Sequence, residues 1–176
     1  MKKYAIIFLI FISCSNIDDL SNNQKHVEKP SQESWNAKIF VNSEGRRAIT
    51  AESEYLATYN ATQLTTLIGN VKLDFFDDRG NHTSVIFADT GKITNNHNRL
   101  FTALGNVVIE ADSGIEVRTD ELFFNEQLDK LYTNKFVRIA TEGDTLYGVG
   151  FESDASLEHW ILKEPKGVTY REENNE

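Results

Sequence analysis

The chain has 176 residues, 40% of them hydrophobic, enough for one domain with a core and too apolar for wholesale disorder. Its 18 Lys+Arg against 27 Asp+Glu leave a formal charge of −9, which argues against nucleic acid as a partner. The 2 Pro exclude Pro-rich and collagen-like classes, and the 1 Cys excludes an intramolecular disulfide or a Cys-cluster zinc site.

Lys2 and Lys3 precede an uncharged apolar run over residues 4–12, too short to span a bilayer of roughly 30 Å as a helix. That is the layout of a secretory signal. It ends in Phe11-Ile12-Ser13-Cys14, which resembles a bacterial lipobox with Phe11 in place of the usual Leu, and the only Cys sits where a lipobox needs one. Residues 1–13 are therefore predicted to be a lipoprotein signal peptide and Cys14 the lipid anchor. Cleavage would remove Lys2 and Lys3 and take the formal charge to −11, so attachment would come from acyl chains and not from a polybasic patch. Under a lipobox the sequons Asn60-Ala61-Thr62 and Asn81-His82-Thr83 are chance matches. Residues 14–34 are polar apart from Ile17, Leu20 and Val27. They read as a flexible tether, and about 20 such residues reach about 25 Å. Residues 35–168 are predicted to form the folded domain, and 169–176 an acidic, frayed tail.

From Trp35 onward apolar residues recur at every second position, the sign of strands with one buried face. Val71, Leu73 and Phe75 alternate with Asn70, Lys72 and Asp74; Val85 and Phe87 follow, then Val107 and Ile109, Ile115 and Val117, and Val137 and Ile139. Turn chemistry separates the runs at Asp77-Asp78-Arg79-Gly80-Asn81, Asn95-Asn96-His97-Asn98, Asp112-Ser113-Gly114 and Glu142-Gly143-Asp144. Residues 53–67, rich in Ala, Thr and Tyr, are assigned to strand. No helical spacing is sustained between Asn70 and Ile161.

The strands also repeat. Gly69-Asn70-Val71-Lys72-Leu73 is echoed 36 residues later by Gly105-Asn106-Val107-Val108-Ile109, and Phe136-Val137-Arg138-Ile139 follows after 30 more. Asp89 and Asp120 fall at matching places, where they are expected to stabilise turns. A period near 30 points to stacked β units. The apolar phase slips by one residue between Ile115/Val117 and Leu122/Phe124, which marks a bulge or a corner. A sandwich, a closed barrel and an elongated open roll all fit this pattern. Only the roll keeps an apolar trough and unpaired end strands suited to strand addition.

Several blocks in order resemble the LptC family of lipopolysaccharide-export components. They are Val71-Lys72-Leu73-Asp74-Phe75-Phe76-Asp77, Gly80, Thr83-Ser84, Ala88-Asp89, the Gly105 block, Thr119-Asp120-Glu121-Leu122 and Lys135-Phe136-Val137. Gly143-Asp144-Thr145-Leu146-Tyr147-Gly148-Val149-Gly150-Phe151-Glu152-Ser153-Asp154, Trp160 and Pro165-Lys166-Gly167 complete the set. The resemblance spans residues 35–168 and is greatest to lipoprotein-anchored members; the best-known members carry an uncleaved transmembrane helix instead of an anchor such as Cys14. It implies an all-β fold, an elongated, open β-jellyroll of repeated antiparallel strands like that of LptA. It further implies a non-catalytic relay on the periplasmic face of the inner membrane. Lipopolysaccharide would be accepted from an inner-membrane ABC transporter and passed to an LptA-like periplasmic bridge protein by edge-strand pairing. Residues after Cys14 leave open which membrane retains the anchor.

On the alternation, Leu73, Phe75, Val85, Phe87, Val107, Ile109, Val117, Phe124, Val137, Ile139 and Phe151 are the inward candidates for lining acyl chains. Lys72, Arg118, Lys135 and Arg138 are read as solvated strand positions. No cofactor is expected. Asp77-Asp78 and Asp120-Glu121 are the carboxylate pairs a glycosidase would need, but adjacent strand residues face opposite ways. His26, His82, His97 and His159 lack metal-like spacing. Gly148-Val149-Gly150 lacks the strand-to-helix context of a dinucleotide loop. The rivals to relay are a structural or adaptor lipoprotein that binds only proteins through its edge strands, and a β-helical carbohydrate enzyme.

Overall fold

The structure, a computed structural model, describes residues 29–43, 45–94 and 100–167. Nine strands follow one another: β1 (Gln32–Ser43), β2 (Arg46–Tyr59), β3 (Leu64–Phe76), β4 (His82–Thr94), β5 (Leu100–Ala111), β6 (Glu116–Asn125), β7 (Lys130–Ala140), β8 (Thr145–Ser153) and β9 (Trp160–Pro165). All pair antiparallel in sequence order within one sheet, so β1 and β9 are its two edges and the sheet does not close. One 3-10 turn, Glu126–Leu128, is the only helical element among the described residues. It is capped by Asn125, whose side chain accepts from the Leu128 N–H. The fold class read from period-two alternation is the one observed. Residues 53–67 form the end of β2, a turn at 60–63 and the start of β3. Strand begins at Gln32, so residues 32–34 belong to β1 and not to the expected tether. The expected signal peptide, the expected anchor Cys14, the rest of the expected tether before residue 29, the expected tail 169–176 and the expected turn at Asn95-Asn96-His97-Asn98 lie outside the described residues.

Strands of up to 14 residues are long for a single twisted layer, and a row of irregularities bends this sheet midway. Pairing register shifts at Glu52/Tyr55, Ile68/Val71, Phe87/Thr90, Leu104/Val107, Arg118/Phe123 and Thr133/Phe136, in every pairing from β2–β3 to β7–β8. In β3 and β5 the irregularity is built by the echoed Gly-Asn pairs. Gly69 (φ 78°) and Asn70 (φ 45°), like Gly105 (φ 77°) and Asn106 (φ 46°), lie in the left-handed region that Gly and Asn tolerate best. A carboxylate on the preceding strand occupies the space each glycine leaves. Asn70 Nδ2 donates to Glu54 Oε1 at 2.5 Å, and Asn106 Nδ2 to Asp89 Oδ2 at 2.8 Å. Asp89 thus braces a bulge in its neighbour instead of the expected turn.

In β3, β5 and β7 the buried positions keep the same parity on both sides of the irregularity, whereas in β6 the inward phase flips there. In β6 the buried positions are Val117 and Thr119 before it and Leu122 and Phe124 after it, the slip visible in the sequence. The sheet folds into two facing walls. The first holds residues 46–52, 71–76, 82–87, 107–111, 116–118, 136–140 and 145–149; the second holds 55–59, 64–68, 90–94, 100–104, 123–125, 130–133 and 151–153. Their side chains meet inside. Phe75 of the first wall and Phe124 of the second pack edge to face at 4.9 Å between ring centres. The interior is hydrocarbon plus hydroxyl: the buried polar residues are Thr50, Ser53, Thr65, Ser84, Thr119, Thr133 and Ser153. Among the described residues no buried side-chain nitrogen or oxygen lacks a partner.

Glu152 ties the last strands together, accepting from Lys130 Nζ of β7 and Lys163 Nζ of β9, each at 2.5 Å. Hydrogen bonds from Lys130 and then Lys163 hold its carboxyl at about 2, below the ordinary 4.5. The folded value is the lower one, so the stabilisation is complete above 4.5 and is lost as pH falls toward 2. Thermal melts across that window should fall in the native chain and fall less in Glu152→Gln, with the difference shrinking in salt because the group is exposed. A second expectation concerns the bend. A Cβ on Gly105 would sit 2.5 Å from Asp89 Oδ2 on a backbone at φ 77°. Gly105→Ala should cost about 1–3 kcal/mol in denaturant unfolding, and Asp89→Ala in the same chain should not restore it, because the backbone strain remains.

Candidate functional site

Ten of the eleven predicted lining positions are buried: Leu73, Phe75, Val85, Val107, Ile109, Val117, Phe124, Val137, Ile139 and Phe151. All of these except Val85 belong to one continuous core cluster. Phe87 and Val85 are corrections, because both belong to the outward row of β4, where Phe87 is 37% exposed and Val85 9%. The cause is cross-strand pairing, which puts opposed residues on the same face. Inward Leu73 opposes Ile86, and inward Val71 opposes Ala88, while Phe87 opposes Lys72 and Val85 opposes Asp74. The inward set of β4 is therefore Ser84, Ile86 and Ala88; Ile86, fully buried, was missed because Val85-Ile86-Phe87 offers both phases.

The interior is not uniformly hollow. Midway along the roll, Ile109, Val117, Val137, Ile139 and Phe151 are all 0% exposed and pack against one another. Space remains at two places. One is a groove of about 510 Å³ under β1, where Ala37, Ile39 and Val41 face Leu56, Thr65 and Ile93. Here the first strand is an edge, with no strand beyond it among the described residues, and its inward side chains are only half-buried. The other is a slit of about 510 Å³ between the walls, bounded by Ile49, Phe75 and Asp78 on one side and Phe124, Glu126 and Asp129 on the other. Both volumes fall within the range of ligand pockets. The loop between β8 and β9 crosses the slit, with Ala155, Ser156 and Glu158 on its rim. Sequence reasoning missed the groove residues. Ala37, Ile39 and Val41 show the alternation plainly, yet nothing local distinguishes an unfilled inward row from a filled one.

The remaining polar candidates have structural partners. Asp77 organises the β3–β4 turn: its carboxylate accepts from the N–H groups of Arg79 and Asn81, each at 2.8 Å, and from Asn81 Nδ2 at 2.9 Å. The Asn81 side chain is the main reason its carboxyl sits below the usual range. Glu121 pairs with Lys135 at 3.7 Å, while Asp120 is exposed on the outer face. His82 opens β4 between Asp112 Oδ1 at 2.9 Å and Asp74 Oδ1 at 3.3 Å. Of the expected solvated cations, Arg118 and Arg138 both reach Glu116 Oε1, at 2.7 and 3.1 Å, and Lys72 reaches Asp74 at 2.8 Å. Among the described residues no three metal-binding side chains converge, and no helix is long and apolar enough to cross a membrane.

The described residues thus form an open two-walled roll with an apolar interior and with β1 and β9 at its edges. The family model for lipopolysaccharide assembly, LptC-related, matches residues 4–170. The chain belongs to the LptC family. No curated protein matches it. LptC membership places the chain in lipopolysaccharide transport, as a periplasmic component of the cell envelope. It also fits the open jellyroll, whose hydrophobic faces are turned toward each other.

The correction at β4 gives a direct contrast. Phe151→Ala removes a fully buried ring and should cost about 3–5 kcal/mol. Phe87→Ala, on the surface, should cost within about 0.5 kcal/mol. Equal losses in denaturant melts would place Phe87 inside.

Proposed function

We propose that the chain relays lipopolysaccharide without chemical turnover, holding acyl chains in the trough and passing them to a neighbouring periplasmic protein that pairs with an edge strand. The observation that carries this reading is the groove under β1, which leaves an apolar row half-covered at an end of the roll that also presents an unpaired edge. About eight methylenes buried there would contribute about 6 kcal/mol, enough for holding and not too much for release. The head group stays out, since the buried interior holds hydroxyls but no charge to receive a phosphate. The 12-residue edge of β1 and the 6-residue edge of β9 are the two docking strips. Supply from an inner-membrane ABC transporter, hand-over to an LptA-like bridge protein, and anchoring through Cys14 complete the proposal.

The test is photo-crosslinking in cells making lipopolysaccharide, with the reactive residue at Ile39, Phe124 or Phe87. Adducts with lipopolysaccharide are expected from Ile39 and Phe124 and not from Phe87. Protein adducts alone at all three sites would favour an adaptor that binds only proteins. In the same cells, proline placed along β1 should abolish capture of the neighbouring protein while the domain still folds, because it deletes backbone donors from an edge.

A further inference from the structure

The six residues between β8 and β9 do more than turn the chain. A hairpin connection is commonly two to five residues and stays at the surface. This one dips inward: Leu157 is 0% exposed and Ala155 8%, and both belong to the core cluster. Leu157 reaches that position with φ 59°, an uncommon and costly conformation for a branched apolar residue. Asp154 holds the loop in shape. Its carboxylate accepts from Ser156 Oγ at 2.9 Å and from the N–H groups of Glu158 at 3.0 Å and His159 at 3.1 Å. A side-chain tie reaches the opposite wall: the fully buried Ser84 hydroxyl of β4 donates to the Ala155 carbonyl, 71 residues away.

We propose that the 154–159 loop is a releasable clasp, with Leu157 as its plug, that closes the slit between the walls and sets how far along the roll a lipid chain can lie. The proposal rests on the acyl-chain reading above. Its location supports this, since Ala155 and Ser156 line the same slit as Phe75 and Phe124, the aromatic pair that joins the two walls. Asp129 borders the clasp as well: desolvation first and then Asp154 push its carboxyl up, while the hydrogen bond it accepts from the Ala155 N–H pulls the other way. Asp154 thus fixes the loop's shape from within, while Leu157 itself is held in place by apolar burial against the strain of its left-handed backbone. An acyl chain entering the slit would replace the contacts Leu157 makes and release it.

Hydrogen exchange on the full-length protein tests this without altering the loop. The amides of Leu157, Glu158 and His159 are the reporters, since each donates within the clasp. Added lipopolysaccharide should speed their exchange by about tenfold or more, while the amides of β5 and β6 do not change. Ser84→Ala, which cuts the tie and leaves the loop sequence intact, should raise affinity for the apolar fluorophore N-phenyl-1-naphthylamine several-fold. Lipopolysaccharide adducts at Ile39 with unchanged exchange in the loop would overturn the clasp and leave the relay standing. Absence of adducts at Ile39 together with unchanged exchange would overturn both.

Discussion

The whole architecture depends on a row of backbone irregularities, crossing every pairing from β2–β3 to β7–β8, that forces a nine-stranded sheet to fold over itself. A flat antiparallel sheet buries one face only by finding another layer. Here each strand from β2 to β8 supplies both layers. Past its irregularity the strand continues into the second wall, so β6 contributes Val117 to one wall and Phe124 to the other. The Gly-Asn pairs of β3 and β5 and the carboxylates opposite them make this bend specific in place. A shift of one residue anywhere along the row would turn an apolar set toward water.

That bend explains the distribution of packing. Where both walls are continued by neighbours on each side, around β5 to β8, the interior is dense. At β1 one flank is missing, and the same alternation yields a row of half-covered side chains. Openness at the end of the roll is therefore a boundary effect of an unclosed sheet, with no special cavity-lining sequence needed to produce it. The slit is a different case. It runs where the two walls fail to join, and a loop has been recruited to cover it.

Much of this was legible in the residues. Period-two alternation gave the strands, the echo of Gly69-Asn70-Val71 in Gly105-Asn106-Val107 gave the repeat of β units, and the slip between Val117 and Leu122 marked a bulge or corner. The limits had physical causes. Val85-Ile86-Phe87 carries hydrocarbon on both faces, and only its pairing with β3 selects Ile86 as the inward member. Asp89 looked like turn chemistry because its partner, Asn106, lies 17 residues away on the next strand. Leu157 sits in a polar stretch, Asp154-Ala155-Ser156-Leu157-Glu158-His159, that reads as an exposed turn. Its burial comes from a gap between distant strands, which no local pattern records.

The two ends of the sheet are unequal: β1 offers twelve residues, with a left-handed Asn36 among them, whereas β9 offers six and stops at Pro165. Two copies stacked head to tail would match a long strip to a short one and strand about half of the longer strip's amides without partners. Open-ended polymerisation, the hazard of any heterologous contact that does not close, is thereby made costly. The mismatch gives the particle a polarity and discourages it from growing into fibres of itself.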